Sequence, residues 1–79
     1  MANLTRRQRY ARILGENIKK VRRTAGLTLD DIEKRTDINI GNLSKMERGV
    51  IIPRLDTADK LAQGLGVKLH DLLPGRNTE

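Results

Sequence analysis

Few side chains in this sequence of 79 residues could carry out catalysis or bind a metal. The absence of cysteine excludes a disulfide framework and a thiolate metal site, and the single histidine, His70, cannot form an imidazole cluster. The adjacent acids Asp30 and Asp31 stand where a helix is predicted to begin, without the third polar partner that an acid/base dyad would need. We therefore predict no enzyme activity, no cofactor and no metal.

The basic side chains are the more informative group. Sixteen lysines and arginines against ten acids give a net charge of +6, and residues 1–25 hold eight of the basic side chains but only one acid. This concentration is typical of a chain that binds a polyanion, either nucleic acid or an anionic membrane surface, although a solvated helix face has the same composition. No apolar run approaches the roughly 20 residues that cross a bilayer, so we predict a soluble cytoplasmic protein with no membrane partner.

A long first helix is predicted to position this basic segment. Thr5 and Gln8 form a capping-box pattern at its start, and Gly26 marks its end. Gly15 is a weak point at which a looser N-terminal arm could separate from the rest. Apolar residues at helical spacing predict the inward face: Tyr10, Ile13 or Leu14, Ile18, Val21 and Ala25.

The second and third helices are predicted to be separated by only about three residues. Thr28 begins the second helix, Asp37 occupies the turn at a position that suits a left-handed residue, and Asn39 caps the third helix. A tight turn of this kind holds two helices at a steep angle, which is the helix-turn-helix geometry that presents the second helix to a DNA groove. Similar pairs also occur in all-α proteins that bind nothing.

Two further helices complete the prediction. Residues 50–52 lie between a glycine and a proline and are too few to pair as a strand, so we predict a loop there. The fourth helix is indicated by apolar residues at helical spacing: Leu55, Ala58, Leu61, Ala62 and Leu65. A last short helix is predicted over residues 68–73. The sequence thus predicts an all-α fold of five helices without strands.

Residues 13–73 resemble the helix-turn-helix domain of phage Cro and repressor proteins, which has the five-helix lambda-repressor-like fold. Bacterial relatives with this domain include restriction-modification controllers and some antitoxins. The most specific match is the block from Leu43 to Gly49, which reads L-S-K-hydrophobic-E-R-G and is followed by Pro53 at the usual distance. The resemblance divides the chain into a basic N-terminal arm or helix extension (1–12), the domain (13–73) and a polar tail (74–79).

The resemblance implies a role for each matching residue. It makes the chain a DNA-binding regulator of transcription, a repressor that acts as a homodimer on a palindromic operator through the major groove. Arg22 and Glu47 would form an ion pair that fixes the third helix, or else a mere surface pair. The candidates for reading bases are Ile40, Gly41, Asn42, Ser44 and Lys45. The candidates for contacting phosphates are Arg6, Arg7, Arg9, Lys19, Arg22, Thr28, Asn39, Arg48 and Arg54.

Several positions depart from the family pattern. Leu29 stands where the family commonly has a glutamine at the start of the second helix, and Ile40 and Gly41 cannot form a side-chain hydrogen bond with a base. Few side chains therefore remain that could read bases directly. Specificity would then depend on DNA shape and on the basic N-terminus. Alternatively, the chain is an antitoxin or adaptor whose protein partner binds Leu29, Ile40, Ile51 and Ile52. Leu29 and Ile40 could instead belong to the core, and Ile51 and Ile52 could pack under their loop.

The basic residues before residue 13 lie outside the resemblance. They could contact phosphates without sequence preference, form a solubilising surface, or read a narrow minor groove. Within the domain, one short recognition helix supplies too little discrimination for a regulator, so a homodimer is expected. By resemblance, the two-fold contact would involve Ile51, Ile52, Val67, Lys68 and Leu69.

Overall fold

Five helices make up the part of the protein that the computed structural model describes, residues 3–75. Residues 1 and 2 of the N-terminal segment and residues 76–79 of the predicted tail lie outside this part. The helices are α1 (Arg6–Thr24), α2 (Leu29–Thr36), α3 (Ile40–Glu47), α4 (Leu55–Leu65) and α5 (Leu69–Leu72). Residues 3–75 contain no strand, so the predicted all-α fold of five helices is confirmed.

The starts of the first three helices are fixed by short side chains that accept backbone hydrogen bonds. The Thr5 hydroxyl accepts from the Gln8 N–H at 3.1 Å, while the Gln8 side chain accepts from the Thr5 N–H at 2.9 Å. Thr28 and Asp31 form the same reciprocal box at the start of α2, at 3.0 and 2.9 Å. Asn39 caps α3. These caps satisfy N–H groups that have no partner within the helix.

The core takes one large, fully buried side chain from each helix. These are Ile18, Ile32, Leu43, Leu61 and Leu72, in chain order from α1 to α5. The short α5 is also tied to α1, because the Asn17 side-chain amide donates to the Leu72 carbonyl at 3.0 Å. Each of the five described helices buries its apolar face against the others, so they stabilise one another.

Helix α1 continues without a break through Gly15, contrary to the predicted weak point. Gly15 is buried, and a Cβ atom placed on it would meet the backbone carbonyl oxygens of Met46 and Glu47, the latter at 2.6 Å. The glycine therefore lets the backbones of α1 and α3 approach closely, and the packing of α3 compensates for its low helix propensity.

The turn between α2 and α3 has the expected left-handed residue. Asp37 has φ 63°, and its N–H donates to the Glu33 carbonyl at 2.8 Å. The buried Thr36 hydroxyl donates to the Ile32 carbonyl at 2.7 Å and accepts from the Ile38 N–H at 3.1 Å. Both ends of the turn are therefore hydrogen-bonded, which fixes the direction in which α3 leaves α2.

Three residues of the predicted apolar stripes are exposed. Tyr10 is 39% exposed, Leu55 is 70% exposed and Ala25 is exposed. Each lies at or near the end of its helix, where the apolar stripe extends past the core that the other helices provide. Helical spacing predicts the direction of a side chain but not whether a neighbouring element covers it.

Candidate nucleic-acid interface

The outer surface of α3 is formed by four exposed residues. Ile40, Gly41, Asn42 and Lys45 are exposed, and we call them the exposed face of α3; Ile40 is 40% exposed. The opposite face holds the buried Leu43 and Met46. Ser44 is half-buried and accepts a hydrogen bond from Arg48 Nε at 3.3 Å. Because its opposite face is packed in the core, α3 can present its outer side chains to a DNA groove.

A bidentate ion pair joins the C-terminal half of α1 to the last residue of α3. Arg22 Nε lies 2.6 Å from Glu47 Oε2, and Arg22 Nη2 donates to Glu47 Oε1 at 3.0 Å. Arg22 Nη1 donates to the Leu27 carbonyl at 2.8 Å. The side chains of the pair are only 13% and 7% exposed, so this is not a solvated surface contact. The hydrogen bonds to Glu47 raise the pKa of Arg22, against an opposing effect of burial.

The start of α2 is acidic. Asp31 accepts from the Thr28 backbone N–H, and this bond, followed by contact with the Thr28 hydroxyl, lowers the pKa of the Asp31 carboxyl. Asp30 forms an ion pair with Lys34 at 3.1 Å, and its hydrogen bond raises the pKa of Lys34. Asp31 thus caps the start of α2, and Asp30 forms an ion pair with a lysine one turn later. Both roles are structural, unlike that of an acid/base dyad.

The first turn of α1 carries uncompensated positive charge. Arg6, Arg7 and Arg9 are exposed there, and this turn has no acidic residue. The N-terminal end of a helix already bears a partial positive charge, so these arginines raise the local positive potential where an anion would relieve it. Lys19 is exposed further along α1.

Two basic residues frame the loop after α3. Arg48 is the C-cap that follows α3, and Arg54 precedes α4 and lies 3.4 Å from the Asp56 carboxylate. The pair is fully open to solvent, with 85% and 71% of the side chains exposed, so Arg54 can exchange this partner for another anion at little cost. Between them, Val50 is 60% exposed, whereas Ile51 and Ile52 are half-buried against the core.

The structure separates the predicted site residues into groups. Arg9 and Arg22 are 13 residues apart on one straight helix, which corresponds to about 20 Å. Arg22, Leu27 and the start of α2 are adjacent through the bond to the Leu27 carbonyl. Of the candidate dimer residues, Ile51, Ile52, Val67 and Leu69 pack against the same core, and Lys68 is exposed.

The apolar patch suggested for a protein partner is smaller than the sequence implied. Leu29, Ile51 and Ile52 are partly buried against the core, and only Ile40 of the four is exposed. One residue at this interface was not predicted from the sequence. Glu33 of α2 accepts a hydrogen bond from the Ile40 N–H at 2.9 Å, across the turn. A carboxylate seven residues before a predicted helix start is too weak a pattern to identify such a contact.

The helix pair, its tight turn and the braced α3 define a helix-turn-helix domain. The helix-turn-helix family HTH_3 matches residues 18–72 of this chain, and the chain therefore belongs to that family. The family consists of DNA-binding regulators of transcription, of the same type as phage Cro and repressor proteins, and not of enzymes.

Two curated proteins are similar to this chain. The HTH-type transcriptional regulator DdrOP3 of Deinococcus deserti is 40% identical over 62 residues, which cover 78% of this chain and 48% of DdrOP3. The chain thus spans about half the length of that relative. The uncharacterised HTH-type transcriptional regulator y4dJ of Sinorhizobium fredii is 37% identical over 62 residues, which cover 78% of this chain and 80% of y4dJ.

Among solved structures, the fold is similar to that of the restriction-modification controller protein C.AhdI from Aeromonas hydrophila. The TM-score is 0.77 with 21% sequence identity, and the match covers 80% of this chain and 96% of the controller. At this identity the likeness concerns the fold alone. Within residues 3–75, no helix is long and apolar enough to cross a membrane.

Proposed function

We propose that this chain is a sequence-specific regulator of transcription, a repressor that binds a palindromic operator in double-stranded DNA as a homodimer. The observation that carries the proposal is the exposed face of α3, which is fixed by the largely buried Arg22–Glu47 pair and flanked by basic residues. An α-helix presented in this way fits the major groove. A cytoplasmic location in association with the nucleoid follows from this function.

The proposed contacts fall into two kinds. Asn42 and Lys45 are the readers, because an amide suits adenine and an ammonium suits guanine, while Ile40 would contact a thymine methyl. The phosphate candidates would fix the register without reading sequence. Thr28 would do so through its hydroxyl, since its N–H donates to Asp31. In Arg22, Nη1 donates one of its two hydrogens to the Leu27 carbonyl and Nη2 donates one of its two to Glu47. The second hydrogen on each nitrogen could therefore be donated to a phosphate.

The homodimer is proposed because two readers on one helix give little discrimination. A regulator needs about 4 to 10 kcal/mol of preference for its site over other DNA, and each good bidentate base contact supplies about 1 to 3 kcal/mol. Two copies on an inverted repeat double the number of contacts. Val67, Leu69, Ile51 and Ile52 are the apolar residues proposed for the two-fold contact, with Lys68 beside them.

The operator can be found by selecting bound duplexes from a random pool. The expected result is an inverted repeat whose half-sites are centred about one helical turn apart, roughly 34 Å, and which the protein protects from cleavage. Selection of a single, unrepeated half-site would contradict the homodimer. Failure to select any sequence would contradict the proposed function and would favour the protein-interaction alternative.

Lys45→Ala tests the assignment of α3 as the reading helix. We expect operator affinity to fall about tenfold or more per half-site, because a base contact is lost. Affinity for random duplex should fall only about two- to threefold, as for one lost charge. Both are measured by fluorescence anisotropy. Lys60→Ala removes the same charge from the exposed surface of α4 and should leave the ratio of operator affinity to random-duplex affinity unchanged. Equal losses on the two duplexes for Lys45→Ala would contradict its reading role.

Simultaneous replacement of Arg6, Arg7 and Arg9 by alanine tests the basic start of α1. Affinity should fall for every sequence, and the slope of log K against log salt should decrease in magnitude by up to about 3 for each bound protomer, since about 0.9 is lost per phosphate contact. The matched control replaces the same three residues by lysine, which should retain the slope. An unchanged slope in the alanine variant would exclude these arginines from the DNA contacts, and a strong sequence-dependent loss with lysine would indicate minor-groove reading instead.

A further inference from the structure

The N-terminal end of α3 is closed by acceptors from within the protein. Asn39 Oδ1 accepts from the Gly41 N–H at 2.8 Å and from the Asn42 N–H at 3.3 Å. The Ile40 N–H donates to Glu33 Oε2, on α2, at 2.9 Å. The first N–H groups of a helix have no partner inside the helix and commonly bind water or an anion such as phosphate. In α3 three successive N–H groups are already bound, one of them by a full negative charge.

Glu33 holds both ends of the turn that joins α2 to α3. Its backbone carbonyl accepts from the Asp37 N–H at 2.8 Å, and its carboxylate accepts from the Ile40 N–H. The Ile38 N–H between them is bound by the Thr36 hydroxyl. One residue of α2 thus fixes where the turn begins and where α3 begins, and the carboxylate is the part of this contact that a substitution can remove without altering the backbone.

The charge of Glu33 lies at a solvent-facing end of α3. Asn39, Ile40, Gly41 and Asn42 are all exposed there. A carboxylate at the N-terminal end of a helix offsets the partial positive charge of that end. It also repels a phosphate that approaches the same N–H groups. An amino group on a base edge, in contrast, donates hydrogen bonds, and a carboxylate can accept one of them.

We propose that Glu33 is a positioning residue that increases discrimination between operator and other DNA. Its bond to the Ile40 N–H orients the exposed face of α3, and its charge weakens the phosphate contacts on which sequence-independent binding depends. The proposal rests on the proposed function of DNA binding. The bond to Ile40 can be tested without DNA.

Two substitutions separate the bond from the charge. Glu33→Gln retains an acceptor for the Ile40 N–H and removes the charge, whereas Glu33→Ala removes both. Glu16→Gln is the control, because Glu16 is an exposed acid on α1 and its replacement changes the net charge equally. For each variant, affinity is measured on the selected operator and on random duplex, amide hydrogen exchange is measured at Ile40, and stability is measured by urea unfolding.

The ratio of operator to random-duplex affinity is expected to fall in both Glu33 variants. In Glu33→Gln it should fall about threefold, chiefly because random duplex binds more tightly, and Ile40 should keep its protection from exchange. In Glu33→Ala the operator should also bind more weakly, and exchange at Ile40 should be faster. Glu16→Gln should leave the ratio unchanged. A role in stability alone would not produce tighter binding of random duplex by Glu33→Gln.

Two results would overturn the proposal. One is an unchanged affinity ratio in both Glu33 variants while the wild-type protein selects an operator, which would leave the proposed function intact. The other is unaltered exchange at Ile40 in Glu33→Ala, which would contradict the positioning bond whether or not DNA is bound. If the wild-type protein selects no sequence at all, the proposed function fails, and the discriminating role of Glu33 fails with it.

Discussion

The variant Gly15→Ala is expected to be less stable than the wild type by about 2 kcal/mol, although alanine is the better helix former. The new methyl group would meet the backbone carbonyl oxygens of Met46 and Glu47, and the Glu47 carbonyl carbon would lie at 2.9 Å. Backbone atoms cannot rotate away as a flexible side chain can. Overpacking against backbone atoms at these distances should cost about 3 kcal/mol, the upper end of the usual range, whereas the gain in helix propensity is only about 1 kcal/mol.

The loss should be visible in urea unfolding followed by circular dichroism. A domain of this length is stable by only about 4 to 12 kcal/mol, so a loss of about 2 kcal/mol lowers the unfolding midpoint substantially. Glu16→Ala is the matched control, because it changes the next, exposed residue of the same helix and should shift the stability by less than about 0.5 kcal/mol. A stabilised Gly15→Ala would mean that α1 and α3 do not approach as closely as described.

Glu47→Ala is expected to destabilise the protein by about 2 to 4 kcal/mol, because Arg22 would keep its charge in a place that water barely reaches. Only 13% of the Arg22 side chain is exposed, and two of its nitrogens lose their partner. Arg22→Ala should also be destabilising, because it leaves the Glu47 carboxylate, whose side chain is only 7% exposed, without its cation. The two single variants and the double variant form a thermodynamic cycle that measures the coupling energy.

The chain offers an internal comparison for this cycle. Asp30 and Lys34 also form an ion pair, but their side chains are 58% and 74% exposed. The coupling energy of that pair should be about 0.5 kcal/mol or less, since solvent screens it, whereas the buried pair should couple by more than about 1 kcal/mol. Equal coupling energies for the two pairs would contradict the bracing role of Arg22 and Glu47.

The elements that the sequence predicted well depend on neighbours within three or four residues. The capping box at Thr5, the start of α2 at Thr28 and the left-handed residue Asp37 are of this kind. Their hydrogen bonds are formed within one turn, so the residue types and their spacing are sufficient to identify them. Five helices in the correct order follow from these signals together with the apolar spacing.

The features that sequence reasoning misjudged depend on partners far along the chain. Gly15 looks like a weak point because helix propensity considers a residue alone, but its contacts are with residues 31 and 32 positions later. Tyr10 and Leu55 continue the apolar stripes of their helices, yet they are 39% and 70% exposed. Glu33 resembles an ordinary surface acid until the turn brings the Ile40 N–H to its carboxylate. Tertiary structure decides each of these cases.

In α3, the residues that pack against the rest of the protein are different from the residues that would contact DNA, and this affects how DNA preference can evolve. Its inward residues Leu43 and Met46, its cap Asn39 and its brace Glu47 carry the packing, whereas Ile40, Asn42 and Lys45 point outward. Substitutions at the outward positions should alter stability by less than about 0.5 kcal/mol each. New target preferences can therefore arise by single mutations, in nature or in directed selection, without passing through unfolded intermediates.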